Sequence, residues 1–457
     1  MTILNNALSG ASAAQASLNA SSQNIANLQT KGYTRQGVLL TAITAGIGTQ
    51  GAGSGVKLSA MIRFSDSYKS QQLWRANAEL GQRTQVQPYL TQLEQVMGDD
   101  QSSLSNGVDN FFKALNAVGE DPMSGPLRGQ VVTAANAMAE SFNSIYAVTR
   151  NQQISVQQQR DSVLPKFNTL TKNIASLNER IIAAGAQGTN TSGLIDERDV
   201  AIDQLSQLAA IEVLEQPDGS RTVSLKTGQP LVVGKLAGSL VIDSTSGSPV
   251  LQASFAGTNY AVDDSRMGGQ LGGLGNFERN TLLPLQTSIK EMAEQLATAV
   301  NTTLAGGSDP AGNPGKPLFA LDGGGIGGIL SVPDDYAATD LAFAGAGLPP
   351  GDSTNLQALV AIKQQAITLT SVGSVAIGDA DTQLVGKLAI DSQQNQSLLN
   401  TATTIRRQAE DDWASTSGVN RDEEAMNLVE FQNMYQANMK VLAVANQLFD
   451  STLSMFG

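Results

Sequence analysis

Apolar residues return at heptad spacing at both ends of this chain. Near the C-terminus they fall at Leu428, Tyr435, Leu442, Phe449 and Phe456, and directly before the later four stand Met434, Val441, Leu448 and Met455. Phe431, Ala445 and Leu453 widen that face, while Asn433, Lys440, Gln447 and Ser454 line the opposite one. A helix with such a stripe packs it on another helix. At the N-terminus Leu4, Ala11, Leu18 and Ile25 repeat every seven, with Ala7, Ala14, Ser21 and Leu28 between them. A lone helix of this length is marginal in water. The two ends are therefore expected to pair as a coiled coil, with the rest of the chain looped out between them. The same pair is expected to pack on neighbouring copies. Its interface residues would be Leu4, Ala7, Leu8, Ala11, Ala14, Leu18, Ile25 and Leu28 on the first helix. On the last they would be Leu428, Phe431, Met434, Tyr435, Val441, Leu442, Leu448, Phe449, Leu453 and Phe456.

Between the ends the period changes several times. Thr30-Lys31-Gly32-Tyr33 stops the first helix, and alternation in Val38–Ile43 and Val56–Ile62 predicts a β-hairpin or extended arm. Helical spacing runs from Asp66 towards Met97, with Pro88 as a kink or boundary, then over Asp109–Val118 and from Val131 to near Gln159. Pro165 is expected to open a further helix with the seam Phe167, Leu170, Ile174, Leu177 and Ile181. Leu194–Ala209 reads as helix with Ile195, Ile202, Leu205 and Ala209 inward, and Glu197, Arg198 and Asp199 outward. From Ile211 short strands follow, turned at Pro217-Asp218-Gly219-Ser220, where proline fixes φ and glycine accepts a positive one. The glycine cluster Gly268–Gly275 ends this β insert. Leu285, Ile289, Met292, Leu296 and Val300 restore the helical period, and Gln383–Ser415 reads as one long helix whose seam contains Asp391 and Asn395.

The expected fold is mainly α with β inserts. It comprises a terminal coiled-coil domain (1–35 with 420–457), an extended or β arm (36–65), a central long-helix bundle (66–210, 276–304 and 352–419) and a small distal β and loop region (211–275 and 305–351).

Composition narrows the chemistry. The chain has 457 residues and a net charge of −13, which argues against a nucleic-acid surface built on clustered Lys and Arg. No apolar run reaches bilayer length, so no membrane insertion is expected. Polar Asn5, Asn6, Ser9 and Gln15 interrupt what would otherwise be a secretory leader. Cysteine and histidine are both absent, which removes disulfides, thiol chemistry and the commonest general base and metal ligand. Two stretches have the G-x-G-x-x-G spacing, Gly46–Gly51 and Gly323–Gly328, but neither lies in a βαβ unit. The acidic pairs Asp99-Asp100, Asp263-Asp264, Asp334-Asp335 and Asp411-Asp412 lack the spacing of a calcium loop and read as solvated surface. Arg421-Asp422-Glu423-Glu424 starts the last helix, where acidic residues suit the dipole. No catalytic residue, cofactor or metal site is expected.

Specific motifs point further. Ala7-Leu8-Ser9-Gly10, Asn24-Ile25-Ala26-Asn27 and Gly32-Tyr33-Thr34-Arg35-Gln36 resemble the N-terminal motif of the bacterial flagellar axial proteins of rod, hook and hook-associated type. Gly418-Val419-Asn420, Tyr435-Gln436-Ala437-Asn438 and Ala445-Asn446-Gln447-Leu448-Phe449-Asp450 resemble the matching C-terminal motif. Leu194-Ile195-Asp196-Glu197-Arg198-Asp199, Glu215-Gln216-Pro217-Asp218-Gly219 and Gly228-Gln229-Pro230-Leu231-Val232 are similar to the hook-associated members. Asn24, Asn27, Gly32, Tyr33 and Arg35 are the motif positions carried over. The turn Leu28-Gln29-Thr30-Lys31 departs from the family pattern. The outer domain that relatives insert between Phe319 and Gly351 is reduced here.

The resemblance implies an extracellular structural protein of the flagellum, at the junction between hook and filament, forming a helical homo-oligomer. Its partners would be the hook protein, a second hook-associated protein on the filament side, the flagellar type III export apparatus, and an export chaperone covering the C-terminal segment. Two alternatives share parts of this pattern: a hook or filament subunit, and a secreted enzyme or adhesin displayed on the flagellum.

Overall fold

The computed structural model describes residues 2–43, 53–99, 103–243, 250–325 and 328–456. Its helices are α1 (Thr2–Ala26), α2 (Ser67–Met97), α3 (Leu104–Val118), α4 (Gly125–Ala186), α5 (Ser192–Leu208), α6 (Gly269–Phe277), α7 (Leu283–Ala305), α8 (Thr354–Ala361), α9 (Ala380–Ser417) and α10 (Arg421–Phe456). The fold is mainly α with small β regions, and α1 packs on α10. Contacts group the chain into two units. One holds Met1–Glu79, Lys166–Val262 and Thr403–Gly457, the other Leu80–Pro165 and Asp263–Ala402. This grouping cuts across the layout expected from sequence, because the arm and the β insert cluster with the terminal helices.

The first unit holds an antiparallel ribbon of β1 (Gln36–Ala42) and β2 (Val56–Arg63), which lies along α1. Beyond α5, β3 (Ile211–Glu215), β4 (Arg221–Leu225), β5 (Pro230–Val233) and β6 (Leu236–Ala237) form a meander. A second meander contains β7 (Ser239–Asp243), β8 (Val250–Phe255) and β9 (Thr258–Ala261). The expected turn joins β3 to β4: Gly219 has φ +82° and the Asp218 carboxylate accepts the Ser220 N–H at 2.9 Å. Phe167, Leu170, Ile174, Leu177 and Ile181 of α4 are buried in this unit.

The second unit is built around one apolar core from α2, α3, α4, α7, α8 and α9. Phe111 meets Phe112 and Phe319 edge to face, with ring centroids 5.4 and 5.7 Å apart. Its strands come in short pairs: β10 (Gly307–Ser308) with β13 (Ala344–Gly345), β11 (Ala320–Gly325) with β12 (Gly328–Ser331), and β14 (Ala366–Leu369) with β15 (Gly373–Ala376). The described parts of the second glycine-spaced stretch, Gly323–Gly325 and Gly328, lie in β11 and β12 rather than at a helix start. The first, and Asp100, lie outside the described residues.

Two expectations are corrected here. Pro165 opens no helix, because α4 runs through it for 62 residues. Proline removes one ladder bond at about 3 kcal/mol, and large side chains buried before and after it, Val156 and Phe167 among them, each return ~1.5–3 kcal/mol. The glycine cluster is also helical, as α6. A Cβ on Gly273 would lie 2.8 Å from the Gln82 carbonyl oxygen, and one on Gly275 2.6 Å from Asp264 Cγ. The glycines are there for close packing, and burial overrides their low propensity.

Helix amides hold the strands and loops in place. Asn143, Asn168, Asn178, Asn301 and Gln295 each donate to the carbonyl, and accept from the N–H, of a single residue. The bracketed residues are Leu330, Leu240, Arg221, Phe319 and Thr368 respectively. The Asn178 bonds measure 2.8 and 3.0 Å. Each amide acts as one more ladder partner for a short strand or for the loop leading into one. The polar position Asn395 in the α9 seam has a similar use, since it donates to Gln87 Oε1 at 2.8 Å and to the Arg83 carbonyl at 3.2 Å on α2.

Asn178→Leu is expected to cost the first unit about 3 kcal/mol or more, from orphaned buried groups at ~1–3 kcal/mol each, measured by urea unfolding. A second test concerns Asp381, a buried carboxylate whose Oδ2 accepts the Ser105 N–H at 2.9 Å at the start of α3. Burial raises its pKa above the ordinary value despite that bond. A raised folded pKa favours the protonated form, so its contribution is present at low pH and lost as pH rises through the folded value. Asp381→Asn should therefore melt higher than wild type at neutral pH, with the difference gone below the ordinary carboxylate pKa.

Candidate functional site

The family-motif residues converge at the C-terminal end of α1 and the segment that follows it. Asn24 is buried and brackets Gln36, donating to its carbonyl at 2.9 Å and accepting its N–H at 3.0 Å. Its Oδ1 also accepts the Tyr33 hydroxyl at 2.9 Å. Burial first, then Asp196 and Glu424, push the Tyr33 phenol up to about 12, so it stays a donor. Gly32 has φ +79°, and a Cβ there would meet the Val200 side chain. Asn27 caps the turn more locally, donating to the Gln23 carbonyl at 3.0 Å and accepting from Thr30 at 3.2 Å.

Arg35 ties three segments together. Its N–H donates to the Ser417 carbonyl at 2.8 Å and its carbonyl accepts the Phe64 N–H at 3.0 Å. Its guanidinium lies 5.1 Å from the Phe64 ring centroid. Its Nε donates to Glu424 at 2.7 Å and its Nη1 to Glu423 at 3.3 Å. Both acids stand in the first turn of α10, where Asn420 also accepts the Asp422 N–H at 3.0 Å.

A second charged cluster lies on α5. Asp196 accepts Arg63 Nε at 2.7 Å and the Thr34 N–H at 3.2 Å, and Asp199 accepts Arg63 Nη2 at 2.9 Å. Arg221 joins Asp199 and sits 5.5 Å from the Trp74 ring centroid. Burial raises the Asp196 carboxyl although Arg63 opposes it. Arg198 is 0% exposed and donates to Asn178 Oδ1 at 3.1 Å and the Gly219 carbonyl at 2.7 Å. Burial, reinforced by Arg221, lowers its pKa to about 10. The outward placement expected for Arg198 is thus corrected. It stands three residues after Ile195 and four before Ile202, which puts it on the inward face, and Asn178 with the β3–β4 turn supplies acceptors there. Sequence reasoning missed Arg63, Asp196, Asp199 and Arg221 as a set, because their partners are distant in sequence.

The residues expected at the subunit interface separate into two groups. Ala7, Ala11 and Ala14 are buried, and Leu18, Leu428, Phe431, Tyr435 and Leu442 half-buried, along the α1–α10 seam. A Cβ on Gly10 would lie 2.5 Å from Asn438 Oδ1, so the helices approach closely there. Leu4, Leu8, Ile25, Leu28, Met434, Val441, Leu448, Phe449 and Leu453 are exposed. The Phe456 side chain lies outside the described residues.

A cavity beside Trp74 and Trp413 holds about 70 Å³, well below the ~300–1,000 Å³ of small-molecule sites. Its Asp203 accepts from Asn77 at 3.3 Å and its Arg406 pairs with Glu410 at 3.0 Å. Among the described residues no group of three or more acidic side chains is arranged to hold a metal ion, and no helix is long and apolar enough to cross a membrane.

Paired terminal helices with an exposed apolar row are the features of an assembling structural protein, and the family matches put it in the flagellar axis. Residues 414–455 match the C-terminal model of the flagellar basal body rod FlgEFG proteins. Residues 90–319 match the helical domain of flagellar hook-associated protein FlgK, and the chain belongs to that family. Flagellar hook-associated protein 1 of Escherichia coli is 25% identical over 99% of this chain and all of its own length. The Bacillus subtilis protein of that name is 26% identical over 98% of this chain and 96% of its own length. The E. coli alignment runs over 548 positions against the 457 residues here, so that relative carries residues without a counterpart. The solved flagellar hook junction protein FlgK from Burkholderia pseudomallei is similar at a TM-score of 0.51 and 29% identity, over 55% of this chain and 47% of that one.

Asp196→Ala is expected to lower the stability of the first unit by about 3–5 kcal/mol. It strips Arg63 of one carboxylate and leaves the Thr34 N–H orphaned. Chemical denaturation followed by Trp74 fluorescence would measure it.

Proposed function

We propose that this chain is built into the junction between hook and filament by packing its terminal helices on those of neighbouring copies. The observation that carries the reading is the second apolar row of α10. With one face of α10 turned to α1, Met434, Val441 and Leu448 remain uncovered on another, and Leu448 is 59% exposed. Uncovered apolar rows of this size mark interaction sites. A surface that meets a different surface on an identical neighbour generates rings or helical tubes.

The partners follow from the family. The hook protein lies on one side and a second hook-associated protein on the other, outside the cell. Export proceeds through the flagellar type III apparatus, with a chaperone covering the C-terminal helix until assembly. Such a cover has a physical motive, because each large apolar side chain left in water forgoes ~1.5–3 kcal/mol of burial. The chain is read as a non-enzyme, since its buried charges are engaged with one another and with backbone. A hook or filament subunit is the less favoured reading, because the family match over 90–319 lies in the hook-associated helical domain.

Deleting the gene in the source bacterium should leave bare hooks and shed filament subunit into the medium. Intact filaments on electron micrographs would overturn the reading. In the complemented strain, Leu448→Asp should block incorporation while leaving the monomer's melting temperature unchanged. Leu442→Asp, on the α1 side, should lower the helicity of the monomer itself, as circular dichroism would show.

A further inference from the structure

Gly386 stands in the interior of α9, on its exposed side, where its own chain makes no demand for a glycine. A Cβ there would meet no described atom within 4 Å, and the backbone is helical. Gly273 and Gly275 in the same unit are the opposite case, since a Cβ on either would collide with a neighbour. Glycine weakens a helix interior relative to alanine, and what it offers in return is close approach to the backbone. No described atom of the chain takes up that room, so it is open to another molecule. Around it the outward line of α9 is Gln383, Gly386, Ile390, Gln393, Ser397 and Thr401, all exposed. Their spacing of three or four residues places them on one stripe, opposite the buried Leu384, Leu388 and Ala402. The stripe is roughly 27 Å long at 1.5 Å per residue.

No charge stands on this stripe. Lys387 and Asp391 flank it, and they close on each other at 2.9 Å. Elsewhere in the unit, α7 carries Lys290 and Glu294 on its open side. Each copy of the chain has a net charge of −13, so acidic faces of two copies repel. A face without charge suits an identical neighbour, where a basic partner would call for acids and an acidic one for Lys and Arg. Ile390 is 64% exposed. A lone exposed isoleucine is ordinary, but this one stands one turn from Gly386 on the same stripe, a projection beside a recess. We propose that the Gly386–Ile390 face of α9 docks against a second copy of this chain. The inference rests on the assembly reading above and adds to it a self-contact that does not involve the terminal helices.

Photo-cross-linking of the full-length chain in isolated flagella tests it, with benzoylphenylalanine in place of Ile390, Thr401, Glu294 or Leu448. Irradiation is expected to give a covalent dimer of this chain from positions 390 and 401, and none from 294. No dimer at 390 and 401 would overturn the proposal, and a dimer at 448 in that case leaves the assembly reading standing. Dimers at 390 and 401 without one at 448 would uphold it and count against packing through the terminal helices. A cross-link from 390 to a different protein, or an equal dimer from 294, would overturn it. If the 390 and 401 variants fold normally but stay out of flagella while the 294 variant enters, the proposal stands, because a bulky ring is then refused on this face. Gly386 supplies a second measurement. Purified Gly386→Ala and Gly386→Leu should melt no lower than wild type, because both residues are better helix formers and the space beside them is open. Gly386→Leu should nevertheless reduce the chain recovered in flagella about tenfold or more, since it overfills the recess between copies. Normal recovery of Gly386→Leu would refute the proposal, as would a lowered melting temperature, which would mean that the room is used inside the chain.

Discussion

Several short strands in this protein rest on backbone hydrogen bonds that the strands cannot close alone. Edge strands of ribbons and small meanders leave a row of N–H and carbonyl groups facing outward. Here carboxamides on neighbouring helices take up that role. Asn24 brackets Gln36, Asn178 brackets Arg221, Asn168 brackets Leu240 and Asn143 brackets Leu330, each with a donor and an acceptor on the same residue. A carboxamide is the side chain that reproduces a peptide group in reverse, so the abundance of Asn and Gln in this chain has a structural use.

Charge is used in the same economical way. The first unit buries Arg198 and most of Arg63, Arg221, Asp196 and Glu424, yet these groups mostly close on one another or on carbonyls. Buried pairs add modest net stability but penalise every alternative arrangement that separates them. They are therefore suited to fixing which segment meets which. Arg63 holds the base of the β1–β2 ribbon to α5, and Arg35 holds the start of α10 to the segment that follows α1. The helices themselves, nearly free of charge, are left to provide broad apolar contact.

That division of labour suits a subunit of a larger assembly. One face of α10 closes the monomer against α1, and a second apolar row stays open. If the heptad stripe were a single seam, all of it would be covered within the monomer and nothing would remain for a neighbour.

The sequence by itself determined the class of the fold, because period is a local property. Heptads at Leu428–Phe449 and Leu4–Ile25, the seam Phe167–Ile181, and the Pro217–Ser220 turn all report their element through spacing or through one residue's φ. The family motifs were legible for the same reason, being contiguous. Tertiary structure alone decided how the single heptad face of α10 divides between α1 and solvent, since that depends on how wide a partner α1 presents. It decided that Gly269–Gly275 is helix, because the close approach of Gln82, Asp264 and Met267 makes a missing Cβ an advantage. It also decided that α4 passes Pro165 unbroken, and that Arg198 faces inward to Asn178 and Gly219 rather than outward to water. In each of these cases the free energy lies in contacts between segments far apart in sequence, and no local pattern encodes the partner.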